Sequence, residues 1–189
     1  MHCTTQTSLL FLLVVVVTSM ISPGISFPMT NRWFILSRQR VMVRSLTTNI
    51  IIVGKQNGGE QFIDDGCHMY EKRLTPVMKV NTIFLKTDKD LVTAAKGLKG
   101  KAVWALDENG RQYSSREFAD VVYDGLQEGG ATITFIVGGA FGLPEEIKKS
   151  FPLISLSKMT WTHQMARLLL VEQIYRSSEL KKGSNYHKD

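Results

Sequence analysis

Apolar positions along residues 50–189 follow two alternating rhythms. Short, mostly apolar runs at 49–53, 80–85, 102–106, 133–137 and 153–156 read as strands. Between them, apolar residues recur three and four apart, the spacing of one helix face. Residues 62–74 carry such a stripe (Phe62, Ile63, Met69, Tyr70, Leu74, with Gly66 on the same face), and Pro76 closes it. Residues 88–98 form a second helical segment, with Asp88 as N-cap and Gly100 beyond its end. Asp107-Glu108-Asn109-Gly110 reads as a turn. Ser114 followed by Glu117 is a capping box, in which hydroxyl and carboxylate each satisfy a backbone N–H. The helix it opens carries Phe118, Val121, Val122 and Leu126 on one face and stops at Gly129-Gly130. A short helix follows Pro144. The last helix starts near His163, behind Thr162 as N-cap, with Met165, Leu168, Leu169, Ile174 and Tyr175 as its core stripe. Strands alternating with helices predict an α/β fold, a mostly parallel sheet flanked by helices, in one domain from residue 50 to 189.

The first 49 residues break this rhythm. Residues 9–17, LLFLLVVVV, are apolar throughout. That run is too short for a bilayer, which takes roughly 20 residues. It fits the apolar region of a signal peptide, with Gly24 and Ser26 as the small residues of a cleavage site. Residues 27–49 contain Arg, Ser and Thr and no acidic residue, the composition of a transit peptide. Signal-like 1–26 followed by transit-like 27–49, with Phe27 at the junction, resembles the bipartite presequences of plastid-targeted proteins. A plastid is therefore the expected destination, a mitochondrion the alternative, and the presequence is expected to be cleaved.

Charge follows the same division. The whole chain carries +6. Four arginines (Arg32, Arg38, Arg40, Arg44) stand in the presequence, so the remaining 19 basic and 17 acidic residues give residues 50–189 only +2. Net charge alone gives the domain no case for nucleic-acid binding. Cys67 is the one cysteine of the domain, which rules out an internal disulfide, and no metal-ligand spacing is present.

Candidate chemistry concentrates where strands end. In open α/β sheets, ligands bind at the carboxyl ends of strands. Gly138-Gly139-Ala140-Phe141-Gly142 ends one strand and matches neither dinucleotide nor P-loop spacing. It reads as a tight turn or as a close backbone wall for a ligand. Ser157-Lys158-Met159-Thr160-Trp161-Thr162 ends another, a polar loop with two large apolar side chains. His163 and Arg167 share a face at the start of the last helix, the unfavourable end of its dipole for cations, which points to an anion there. Glu172 and Arg176, four apart, form a surface pair. The tail brings Tyr186, His187 and Lys188 together, a mixture suited to stacking on a base and touching phosphate.

Four motifs in order resemble the ribosomal RNA large subunit methyltransferase H family of the SPOUT superfamily. They are I-V-G-G-A-F-G-L from Ile136, S-K-M-T-W-T-H-Q-M-A-R from Ser157, V-E-Q-I-Y-R from Val171 and Y-H-K from Tyr186. The resemblance implies a homodimeric α/β knot, with a trefoil knot in its C-terminal part, that uses S-adenosyl-L-methionine. The implied reaction is methylation of N3 of a pseudouridine in the helix 69 loop of large-subunit rRNA, in the assembled ribosome. A related knot enzyme on another RNA, or a non-catalytic rRNA-binding assembly factor, is the alternative. By the same resemblance the cofactor positions are Leu106, Gly139, Ser157, Lys158, Met159, Thr160, Trp161 and Thr162. His163, Arg167 and His187 become the catalytic candidates. Tyr175, Arg176, Tyr186 and Lys188 become the RNA-binding set. Thr162 stands where many members have Pro, and the stretch between Leu85 and Ala102 is shorter than in bacterial members.

Overall fold

A computed structural model describes residues 45–56, 60–98 and 102–188. The expected signal and transit segments up to residue 44 lie outside the described residues. Five strands and five helices alternate: β1 (Leu46–Val53), α1 (Gln61–Leu74), β2 (Met78–Leu85), α2 (Asp88–Lys96), β3 (Val103–Gln112), α3 (Ser115–Glu128), β4 (Thr132–Val137), α4 (Glu145–Ser150), β5 (Leu153–Ser155) and α5 (His163–Lys182). Every strand pair is parallel, in the order β2-β1-β4-β3-β5.

The central strands are buried on both faces, which is why the second half of β1, residues 50–53, is an unbroken apolar run. Ile50 and Ile52 point to a core shared with α1, α3 and α5. Ile51 and Val53 point to a second core under α2 and α4. On the first face α5 lies against both α1 and α3. Gly66 lets α1 and α5 approach, since a Cβ there would stand 2.9 Å from Leu168 Cδ1.

Several boundaries differ from the sequence expectation. β1 starts at Leu46, so residues 46–49, assigned by composition to the presequence, form half of a central strand. Thr48 is fully buried, with its hydroxyl 3.4 Å from Met78 Sδ. Threonine suits a strand as well as a transit peptide, and only the pairing partners separate the two. Thr87, not Asp88, caps α2: its hydroxyl accepts from the Asp90 N–H and Asp90 returns the bond. The predicted turn at 107–110 is a bulge rather than an end to β3. Leu106 and Arg111 both pair with Ile154, and the strand resumes to Gln112. Gly110 makes that return feasible, since any Cβ there would fall 2.6 Å from the Ile154 backbone. In α5 the fully buried leucine is Leu170 rather than Leu168 or Leu169. The inner stripe runs Gln164, Arg167, Leu170, Val171, Ile174, Ser177, Ser178, polar at both ends. The Ser114–Glu117 capping box and the Thr162 cap, whose hydroxyl accepts from the Met165 N–H, form as expected.

Candidate functional site

All five strands run the same way, so their carboxyl ends open on one edge of the sheet. The ends of β4 and β5, together with the bulge inside β3, enclose a cleft of about 670 Å³, within the range of roughly 300–1,000 Å³ common for small-molecule sites.

The β4 end supplies the glycine loop. Gly142 donates its N–H to Gly139 O at 3.0 Å and takes φ +81°, a left-handed conformation that glycine adopts freely. A Cβ on Gly138 would stand 2.3 Å from Gly142 O, so the turn closes only on glycine. The β5 end supplies the polar loop, organised around one hydroxyl. Ser157 Oγ accepts from the Met159 N–H and from the Trp161 indole N–H, both at 2.9 Å. The β3 bulge adds Asp107 and Glu108. Thr160 donates to Glu108 Oε2 at 2.7 Å, and Lys148 of α4 pairs with Asp107 at 2.9 Å. The Asp107 side chain is 6 % exposed. Burial alone would raise its carboxyl, but the Lys148 ammonium and the Asn109 amide outweigh it and hold the group below its ordinary value.

Of the eight expected cofactor positions, Leu106, Gly139, Ser157, Met159, Thr160, Trp161 and Thr162 line this cleft. Lys158 lies on the same loop, exposed and outside the lining. The lining suits S-adenosylmethionine: open glycine backbone, apolar walls and carboxylates able to face cationic groups. Gln164, 9 % exposed, adds a buried Oε1 with no protein partner on the cleft side of α5.

Comparison with known proteins agrees with this geometry. The family described as "Predicted SPOUT methyltransferase" matches residues 46–187. The ribosomal RNA large subunit methyltransferase H of Protochlamydia amoebophila is 38% identical over 143 residues, covering 76% of this chain and 99% of that protein. Its namesake in Thermotoga maritima is 37% identical over 156 residues, covering 75% and 99%. That of Streptococcus uberis is 37% identical over 157 residues, covering 74% and 98%. The chain belongs to the ribosomal RNA large subunit methyltransferase H family.

In this member of the methyltransferase H family, the catalytic candidates separate. His163 lines the cleft. Arg167 does not: it is 3 % exposed, its Nη2 donates to Asp64 Oδ1 of α1, and its guanidinium stacks over Phe84 at 5.1 Å. The anion that Arg167 meets in the fold is Asp64, and the pair bridges α1 and α5 outside the cleft lining. Cys67 packs nearby, 5 % exposed, and burial pushes its thiol up to about 11.

His187 sits with the expected RNA set at the far end of α5. The tail folds back as a cluster. Tyr186 meets Tyr175 edge-on at 4.9 Å, and Tyr175 in turn meets Tyr70 of α1 at 5.6 Å. Arg176 lies over Tyr186 at 4.9 Å, pairs with Glu172, and is 3.3 Å from His187 Nδ1. Tyr186 Oη donates to Glu172 Oε1 at 3.2 Å, and burial raises the phenol well above its ordinary value. Lys188 is exposed. Thirteen residues of helix, roughly 20 Å at 1.5 Å each, separate Arg176 from His163.

Sequence reasoning missed Lys55, Asp107, Glu108, Lys148 and Gln164 as cleft residues. The turn signal at 107–110 marked two of them without showing that the strand returns. Lys55 carried no signal; its carbonyl accepts from Gln164 Nε2 across 109 residues of sequence.

Proposed function

We propose that the chain methylates N3 of a pseudouridine in the helix 69 loop of large-subunit rRNA, using S-adenosylmethionine, as a homodimer acting on an assembled organellar ribosome. The observation that carries this reading is the convergence of two strand-end loops and the β3 bulge on one cleft in a chain aligned with nearly the whole length of its methyltransferase relatives. The all-parallel sheet agrees with the α/β knot of the superfamily.

When bound, the cofactor supplies an electrophilic sulfonium methyl group. The protein's share is to bind, orient and handle a proton. Gly139 and the backbone of residues 157–162 hold the ligand, with Leu106 as an apolar wall. Asp107 and Glu108 offer anionic acceptors to hydroxyl or ammonium groups. Positioning supplies much of the acceleration in such a transfer. The acceptor nitrogen loses a proton, and on this reading His163, whose presence in the cleft lining supports the role, takes it directly or through water.

Tyr175 and Arg176 stand about 15 Å along α5 beyond Ala166, the last α5 residue lining the cleft. On this reading a second copy completes the site by bringing its Tyr175–Arg176–Tyr186 cluster to that cleft. The near-neutral domain favours recognition of a ribosome over free RNA. Delivery to a plastid, with a mitochondrion as alternative, rests on the composition of residues 1–49.

Calorimetry of the purified protein with S-adenosylmethionine, followed by methylation of ribosomes and mass spectrometry of the rRNA, tests the whole reading. Cofactor binding and one methyl-pseudouridine in helix 69 are expected. Binding with methylation of a different RNA points to a related knot enzyme. Absence of cofactor binding leaves an rRNA-binding assembly factor.

A further inference from the structure

Among the described residues, six large hydrophobic side chains are exposed, and three of them, Phe141, Met159 and Trp161, line the cleft described above. Phe141 is the extreme case at 99 % exposed. Leaving a phenyl group in water forfeits the burial energy that places such residues inside. The loop carrying it is not slack: the Gly139–Gly142 hydrogen bond and the glycine-only turn at Gly138 hold Phe141 at its tip. A ligand on the cleft floor meets the glycine backbone, while the phenyl ring stands at the rim. Trp161, on a different strand-end loop, has its indole N–H bound to Ser157 Oγ at 2.9 Å, so a second ring is fixed at the same cleft.

We propose that Phe141 is a base-stacking residue for the RNA substrate, receiving the target base or its neighbour as it enters the cleft. This rests on the reading of the chain as an RNA methyltransferase. Chemical work on a base requires it to leave its stack, and the unstacked face then needs a replacement partner. Aromatic rings supply one without sequence preference, because every base has a π-face. At 99 % exposed, the Phe141 ring is not packed into its own protomer's core. Its place, between the cofactor positions and solvent, is where an extruded base arrives.

The test uses full-length protein and intact ribosomes, comparing wild type with F141A, F141L and F141W. Because the ring is solvent-exposed, all three variants are expected to fold. F141A should lower kcat/KM for ribosomes by roughly 5- to 100-fold, the scale of aromatic–base stacking. Its S-adenosylmethionine affinity by calorimetry and its oligomeric state by sedimentation should match wild type. F141W should restore the rate and F141L should not. The proposal is overturned by an F141A of normal rate, by an F141L as active as F141W, by an equal loss of cofactor affinity, or by loss of the oligomer. A wild type that methylates no RNA overturns the functional reading and this proposal together; an active wild type with a normal F141A overturns this proposal alone.

Discussion

Thr160 donates a 2.7 Å hydrogen bond to Glu108 Oε2, fastening the loop before α5 to the bulge in β3. Fifty-two residues apart, the two form a strut across the cleft, and loop 157–162 carries most of the expected cofactor positions. A hydrogen bond to a charged group nets about 1.5–3 kcal/mol when buried; both partners here are exposed, so about 1 kcal/mol is the appropriate scale. Glu108→Ala is therefore expected to raise the Kd for S-adenosylmethionine about 5-fold. Glu108→Gln keeps an acceptor oxygen and should recover most of that loss. Equal affinity of E108A and wild type in calorimetry would show that the strut does not organise the pocket.

Arg167 and Asp64 predict a loss of a different kind. Removing one member of a buried ion pair costs about 3–5 kcal/mol, because the other charge stays behind. Asp64 is 21 % exposed, which places Arg167→Met near the lower figure. Thermal melting should show a fall of roughly 6–12 °C in Tm. Cofactor affinity of the folded variant should stay near wild type, since Arg167 lies outside the cleft. If R167M melts normally but loses activity at constant cofactor affinity, the residue serves the reaction directly and the structural role assigned here is wrong.

The two residues also show what a sequence conceals. Element order, the Ser114 capping box, the Thr162 cap, the Glu172–Arg176 pair and the two loops after β4 and β5 are legible, because each depends on neighbours a few positions apart. The partner of Arg167 lies 103 residues away, and local spacing could say only that an anion was wanted. The choice of Leu170 over Leu169 follows from the rotation of α5, which α1 and α3 set together. Nothing in the spacing of the tail says where it docks, which Tyr70 of α1 and Tyr175 decide by giving Tyr186 an aromatic seat. The return of β3 after residue 110 depends on Ile154 pairing twice, which no periodicity records.

Ala131 predicts a gain in stability. It holds φ +76° after Gly130 at the end of α3, a left-handed conformation, and its carbonyl accepts from the Thr47 N–H at 2.8 Å. That conformation costs an alanine about 1–2 kcal/mol. Glycine removes the strain but adds about 0.5–1 kcal/mol of unfolded-chain entropy. Ala131→Gly should therefore raise Tm by about 1–4 °C. A lower Tm would mean that the methyl group contributes packing that exceeds the strain.

The Lys148–Asp107 pair predicts how stability depends on pH. Asp107 has its carboxyl held below its ordinary 3.8, burial opposing the shift and Lys148 and Asn109 driving it. A depressed carboxyl contributes stability that is complete above its unfolded pKa and is lost as pH falls through the folded one. Wild type should thus draw the full contribution at pH 5–8 and lose it below about pH 4. In Lys148→Ala the ammonium is gone and burial remains, so the Asp107 carboxyl moves up. At pH 7 the variant should be less stable by about 1–2 kcal/mol. Acidification protonates Asp107 first in the variant, which relieves its uncompensated charge, and only later in wild type. The gap between the two should therefore shrink steadily from about pH 5 to pH 3. Urea denaturation at pH 7, 5 and 3.5 measures it. A gap that stays constant across those three values would show that Asp107 does not depend on Lys148 for its ionised form.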